Sequence, residues 1–241
     1  MEEINIFKDV KAIFFDFDNT LVSFEELSAK ALKSVANDIL DFVKENYPSI
    51  NIDEKELFSS LLETSKKLDE EGIYDRRVWW EKVLSKYNIK AEMEDLYEWT
   101  QIYWSIAGNN QPYDDALDAV EYLKRKGFKL GIITNSDGEW GDKRQRLNRF
   151  PLISYFDVIL ISGENNIKPK PNLQPFILAC EKLNLSTDNC VMVGDDPVKD
   201  CLAAKKAGLH SILVDRNNKV KYAELYADFV VQNLKELEEI F

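Results

Sequence analysis

At 241 residues, 45% hydrophobic and 31% charged, the chain has the makeup of a globular protein long enough to bury a sizeable core. Its 31 Lys and Arg against 43 Asp and Glu leave a formal net charge of -12. That excess argues against a nucleic-acid or anionic-membrane partner, whose phosphates basic side chains must neutralise. Cys180, Cys190 and Cys201 form no CxxC pair and are odd in number, so reduced thiols are expected, with neither a disulfide framework nor a zinc site.

Taken in order, the chain opens without a signal-peptide pattern and contains no apolar stretch of membrane-spanning length, so a cytoplasmic protein is expected. The first apolar run, Ala12–Phe15, leads straight into Asp16, Asp18 and Thr20. From about Ser23 to Asn110 the pattern changes to helical periodicity. Leu27, Ala31, Val35, Ile39, Phe42 and Val43 form one stripe. A second helix is expected from Asp53, with Glu56 placed to complete a capping box, and runs to Gly72. Two more follow, over Arg76–Tyr87 and Glu92–Ile106, before a return hinge at Gly108, Asn109, Asn110 and Pro112. Beyond it, apolar runs at Leu130–Ile133, Val158–Ile161, Val191–Val193 and Ser211–Val214 alternate with helical patterns. Those patterns are Ala116–Lys126, Pro175–Leu185 and Asp200–Ala207, the first and last stopped by Gly127 and Gly208.

Each apolar run is nearly continuous, as in strands covered on both faces, and strand–helix alternation at this spacing indicates βαβ units. The expected fold class is α/β, a doubly wound parallel sheet built from residues 1–22 and 111–241, with an all-helical domain inserted at 23–110. The lone histidine, His210, sits in a connector and is expected to be structural or solvent-facing.

Four polar clusters follow four of the apolar runs, at the sheet edge where ligands of open α/β sheets bind. Asp16 and Asp18 supply a candidate carboxylate nucleophile and a candidate proton donor and acceptor, although a turn with Asp18 or Thr20 as a helix cap would look the same. Thr134, Asn135 and Ser136 offer a hydroxyl and an amide to phosphate oxygens, or make an ordinary turn. Lys168, in Lys168–Pro171, is a compact cation stiffened by prolines, or a solvated lysine. Asp195 suits a Mg²⁺ ligand, and Asp200 would either support Lys168 or lie in the outer metal shell, unless the stretch is an acidic turn with Asp200 as helix cap. Complementary parts arriving together at one edge favour phosphoryl chemistry over four chance turns.

As a set, Asp16-Phe-Asp-Asn-Thr, Thr134-Asn, Lys168-Pro-x-Pro and Gly194-Asp-Asp-x-x-x-Asp resemble the four motifs of the haloacid dehalogenase (HAD) superfamily, and the helical insertion resembles its type-1 cap. The resemblance implies a Rossmannoid sheet ordered 5-4-1-2-3 and a Mg²⁺-dependent phosphatase working through an aspartyl-phosphate on a small phosphorylated metabolite. It implies Asp16 as nucleophile and Asp18 as general acid/base, with Thr134, Asn135 and Lys168 holding the phosphate. The metal would bind Asp16, the Asp18 backbone carbonyl and Asp195, with Asp196 and Asp200 around it. Arg76, Arg77, Trp80 and Trp104 of the inserted domain are candidates for substrate selection, and a monomer or homodimer is expected. Dehalogenase members lack an aspartate at the position of Asp18, which turns the expectation toward phosphoesters. A sugar-phosphate mutase or a 2-haloacid dehalogenase of the same superfamily, and a non-catalytic phosphoryl-binding module, remain the alternatives.

Overall fold

The computed structural model describes residues 6–241. Six parallel strands, β1 (Ala12–Phe15), β2 (Lys129–Asn135), β3 (Val158–Ser162), β4 (Cys190–Gly194), β5 (His210–Val214) and β6 (Phe229–Val231), form one sheet ordered β3-β2-β1-β4-β5-β6. The order expected for the first five strands is present. The sixth, not expected from the sequence, extends the β5 edge. It is only three residues long, and its outward Phe229 is 45% exposed, so it carries no buried run to announce it.

The continuous apolar runs are explained by two cores, one on each sheet face. Ile13, Phe15, Ile132, Val191, Val193 and Ile212 belong to one, which also holds Ala119, Val120 and Leu123 of the crossover helix ahead of β2. Ala12, Phe14, Ile133 and Met192 belong to the other, with Phe176 and Ala179 of the helix after β3 and Ala203 and Ala204 of the one after β4. Alternate residues of one strand therefore all face protein, and no polar position is needed. Gly131 pairs with Phe14 in the β1–β2 register. A Cβ there would lie 2.5 Å from the Phe14 ring, so only glycine admits the aromatic side chain.

Helices α1 (Glu25–Asn46), α2 (Glu54–Glu70), α3 (Arg76–Ser85) and α4 (Met93–Ala107) lie in a separate compact unit; α5 (Asp114–Arg125), α6 (Lys143–Asn148), α7 (Gln174–Lys182), α8 (Ala203–Lys206) and α9 (Leu237–Ile240) complete the chain. The helical unit has its own core, with fully buried Trp80 donating from its indole to Thr100 Oγ1 at 3.0 Å. Asp53 caps α2 as expected, accepting from the Lys55 and Glu56 amides at 3.0 and 3.1 Å. The reciprocal half of the expected capping box is missing, because Glu56 instead accepts from the Tyr87 hydroxyl at 3.1 Å. His210 opens β5, its ring edge-on to Phe7. All three cysteines are buried. No helix among the described residues is long and apolar enough to cross a membrane.

One segment departs from the expected division. Ser136–Arg146 follows β2 but groups with Phe24–Asn110, whereas the expectation from sequence put it with the sheet. Its contacts explain the assignment. Trp140 packs edge-on to Tyr97 with centroids 4.8 Å apart, and Glu139 pairs with Arg77 at 2.5 Å. Arg146 lies over the Phe24 ring and donates to Asn110 Oδ1 at 3.2 Å. No apolar periodicity marks these contacts in the sequence.

Candidate active site

β1 lies between β2 and β4, so the residues just beyond its end meet the ends of both neighbours. The Asp16 amide continues the ladder, donating to the Val193 carbonyl at 2.9 Å. The backbone then bends, Asn19 turns with φ 58°, and the Leu21 and Val22 amides return to the Phe17 carbonyl. This turn leaves Asp16 buried, Asp18 half-buried and Thr20 fully buried, with Thr20 Oγ1 donating to Asp195 Oδ1 at 3.2 Å. Thr20 is therefore a link between the ends of β1 and β4 and no helix cap.

The lysine at this site is Lys170, not Lys168. Lys168 is exposed, and its backbone amide donates to Gln174 Oε1. Lys170 is 3% exposed, and its ammonium donates to Asp16 Oδ1 at 2.8 Å, Asp200 Oδ1 at 2.6 Å and the Ile133 carbonyl at 2.9 Å. An ammonium has three N–H bonds, and all three are engaged. Asn135 fixes the backbone around it, Oδ1 accepting from the Lys170 amide at 2.9 Å and Nδ2 donating to the Lys170 carbonyl at 3.3 Å. Ser162, register partner of Asn135, steadies that amide with its single hydroxyl proton, shared between Oδ1 at 2.8 Å and the Thr134 carbonyl at 3.0 Å. Asn135, expected on the phosphate, thus holds the loop that delivers the lysine. Thr134 ends buried beside it on β2.

Beyond β4, the chain makes a π-helical turn, Pro197–Leu202, capped by Asp196, which accepts from the Val198 and Lys199 amides at 2.8 Å each. Asp200 folds back across Gly194, where a Cβ would come within 2.5 Å of its carboxyl carbon. Its Oδ2 accepts from the Asp196 amide at 3.1 Å and its Oδ1 holds Lys170, so both oxygens are occupied.

Asp16, Asp195 and Asp200 bring carboxylate oxygens within 4.8 Å of one another. Burial and the neighbouring carboxylates of Asp16 and Asp200 push Asp195 well above the ordinary carboxylate range. Asp200 is pushed to about 7 by burial and by Asp16, against the opposing pull of Lys170. Burial works to neutralise Lys170, but Asp16 and Asp200 outweigh it and hold the ammonium charged. One lysine among three close carboxylates leaves excess negative charge, and the donor set is all oxygen. Lys170 takes one oxygen of Asp16 and Thr20 one of Asp195, leaving the second of each without a hydrogen-bond partner among the described residues. These features fit a hard divalent cation.

Of the side chains singled out in the helical unit, two are engaged in its framework. Arg77 is paired with Asp75 at 2.6 Å and with Glu139, and Trp80 lies in the core. Arg76 and Trp104 have unfilled hydrogen-bonding capacity. Thr20 and Gly194 stand in the sequence motifs, but the bond of Thr20 to Asp195 and the close approach of Asp200 to Gly194 were not anticipated, nor was Ser162. Ser162 is polar at the last position of an otherwise apolar run, a signal the sequence did carry.

Residues 10–208 match the family model for haloacid dehalogenase-like hydrolases. The chain is 28% identical over 240 residues to the glyceraldehyde 3-phosphate phosphatase of Methanocaldococcus jannaschii, covering 96% of each chain. It is 27% identical over 222 residues to the N-acylneuraminate-9-phosphatase of Mus musculus, covering 88% of this chain and 85% of that one. Among solved structures it is similar to a HAD phosphatase from Thermococcus onnurineus, with TM-score 0.67, 28% identity and coverage of 96% of this chain and 97% of that one. With its parallel sheet, its carboxylate-bearing strand ends and a matching region spanning most of its length, the chain belongs to the haloacid dehalogenase-like hydrolases.

Proposed function

We propose that this chain hydrolyses the phosphoric monoester of a small metabolite by passing the phosphoryl group through Asp16. The observation that carries the reading is the meeting of Asp16, Lys170 and Asp200 with Asp195 across the ends of β1 and β4. Phosphatases among the relatives, including those named for glyceraldehyde 3-phosphate and for N-acylneuraminate 9-phosphate, support the reaction class.

The Asp16 carboxylate attacks phosphorus in line; an Asp16 oxygen–phosphorus bond forms, giving an acyl phosphate, as the bond to the departing alcohol breaks, and Asp18 gives that alcohol its proton. Asp18 then takes a proton from water, whose oxygen attacks phosphorus, and Asp16 leaves as the free carboxylate with release of inorganic phosphate. Lys170 keeps Asp16 oriented and contributes a fixed positive charge; its three engaged donors make it a point charge first and a phosphate ligand only by exchange. Thr134, at the end of β2, is the proposed phosphate contact there, and Asn135 positions Lys170. Asp16 and Asp195 would hold Mg²⁺ through their free oxygens, with the Asp18 carbonyl as the family resemblance implies and Asp200 and Asp196 in the surrounding shell. Mg²⁺ supplies positive charge against the phosphoryl oxygens, which a chain of net charge -12 otherwise repels. An aspartate at position 18 favours phosphoester over haloacid chemistry.

Release of phosphate from p-nitrophenyl phosphate with Mg²⁺ tests the reading. Asp16→Asn is expected to abolish turnover while leaving the thermal transition intact; wild-type activity in that variant would refute the nucleophile.

A further inference from the structure

Arg76 opens α3 and is 4% exposed, yet it pairs with no carboxylate among the described residues. Asp75 beside it is engaged by Arg77, which donates from Nε at 3.1 Å, from Nη2 at 2.6 Å and from its own amide at 3.0 Å. The Arg76 guanidinium is instead boxed by aromatic rings, its carbon 3.8 Å from the Trp79 centroid, 4.8 Å from Trp104 and 4.9 Å from Tyr103. Ring faces stabilise a cation but accept none of its in-plane N–H bonds. Nη1 donates to the Tyr74 carbonyl at 2.5 Å, whereas Nε is sealed from solvent and has no partner. Nη2 likewise has no hydrogen-bond partner among the described residues, and it is not sealed. Nε–H and Nη2–H run parallel along one edge of a guanidinium, the spacing that a carboxylate meets with two oxygens. Trp104, one of the rings of the box, has a second sealed and unpartnered donor, its indole Nε1.

A buried cation without a counter-ion and a buried N–H without an acceptor are each unfavourable, and here they occur side by side. Both call for the same thing, an anionic acceptor of planar, two-oxygen shape. We propose that Arg76 and Trp104 form a carboxylate-binding site in the helical unit, for a small organic acid bound edge-on to Nε and Nη2 of Arg76 with Trp104 Nε1 as a further donor. The acid can be a substrate's own carboxylate or a separate metabolite; the recognition chemistry is shared.

The direct test is a titration of the ¹⁵N-labelled full chain with acetate, read at the Arg76 Nε–H and Trp104 Nε1–H resonances, assigned by their loss in Arg76→Lys and Trp104→Phe. Both resonances are expected to move together and saturate with acetate, and to stay in place with neutral acetamide. Trp104→Phe, which keeps the ring and removes the donor, is expected to weaken acetate about fivefold. No movement, equal movement with acetamide, or movement with inorganic phosphate but not acetate would each overturn the proposal. Should Arg76→Lys fail to fold, the Trp104 resonance of the wild-type chain still distinguishes binding from its absence.

The source of the acid is read by turnover of 3-phosphoglycerate against glycerol 3-phosphate, an arm that rests on the phosphatase reading. Loss of about tenfold or more in kcat/KM for the first ester alone, in Trp104→Phe or Arg76→Lys, assigns the carboxylate to the substrate. Equal turnover by variant and wild type, with acetate still binding, supports a separate acid as the ligand. Turnover of neither ester by the wild type would count against the phosphatase reading and leave the resonance test standing.

Discussion

Lys170 and Lys168 are each followed by proline and lie two residues apart, so residue type and spacing alone do not separate them. What separates them is Asn135, which grips the Lys170 backbone from both sides and sets the loop's register against β2. That contact spans 35 positions in the chain and leaves no local mark. The aspartates, by contrast, were legible because each stands at or just beyond the end of an apolar run, where the topology brings strand ends together. Lys170→Met is expected to lower kcat by about 10² to 10³-fold, as loss of a fixed charge at a reacting centre does. It also strips the counter-ion from buried Asp16 and Asp200, so a loss of roughly 3–5 kcal/mol in unfolding free energy should accompany it. Lys168→Met, at an exposed position, should leave activity within about twofold and stability within about 0.5 kcal/mol of wild type. Steady-state kinetics and urea titration check both, and a severe loss at Lys168 would reverse the assignment.

At the scale of elements, β1, β2, β4 and β5 were readable because burial on both faces removes the polar half of the usual alternation, β3 because its run stays apolar even at Ile159, which is 39% exposed, and a β1–β4 pair follows once the sheet order is known. The short edge strand and the π-helical turn escaped, the first for lack of buried length and the second because its shape depends on the contacts of Asp196 and Asp200 with backbone amides. Asp157 shows how one side chain ties elements together. It accepts from the Leu130 amide at 2.9 Å at the start of β2, from Lys124 of α5 at 2.8 Å and from Lys129 at 3.5 Å, just ahead of β3. Burial opposes its ionised form, but Lys124 and the Leu130 amide, with Lys129, prevail and hold its carboxyl below the usual range. Between the folded value and the ordinary value of about 3.9, the unfolded chain binds more protons than the folded one. Stability from Asp157 is therefore complete above that ordinary value and is lost as pH falls through the folded one. Asp157→Asn should cost about 1 kcal/mol at pH 7, a difference that shrinks progressively below about pH 4. Chemical unfolding of both proteins across that range tests it; a difference that grows in acid would contradict the sign.

For the molecule as a whole, a net charge of -12 sets a repulsive field for any phosphorylated ligand, and the cation at the site acts only at short range. Added salt should therefore raise kcat/KM for a dianionic ester between about 0.01 and 0.15 M ionic strength, as the screening length contracts from about 30 to about 8 Å. A fall over that range would mean that local positive charge governs encounter.

The grouping of Ser136–Arg146 with the helices means that the backbone passes between the two units four times, not twice. In chain order, the piece that completes the unit of α1–α4 comes only after β2. A fragment spanning 24–110 would consequently fold with a raw face where Tyr97, Arg77 and Phe24 lose their companions. Supplying a peptide of residues 136–146 in trans is expected to raise that fragment's melting temperature, and any graft of the bundle onto another sheet would have to carry both stretches.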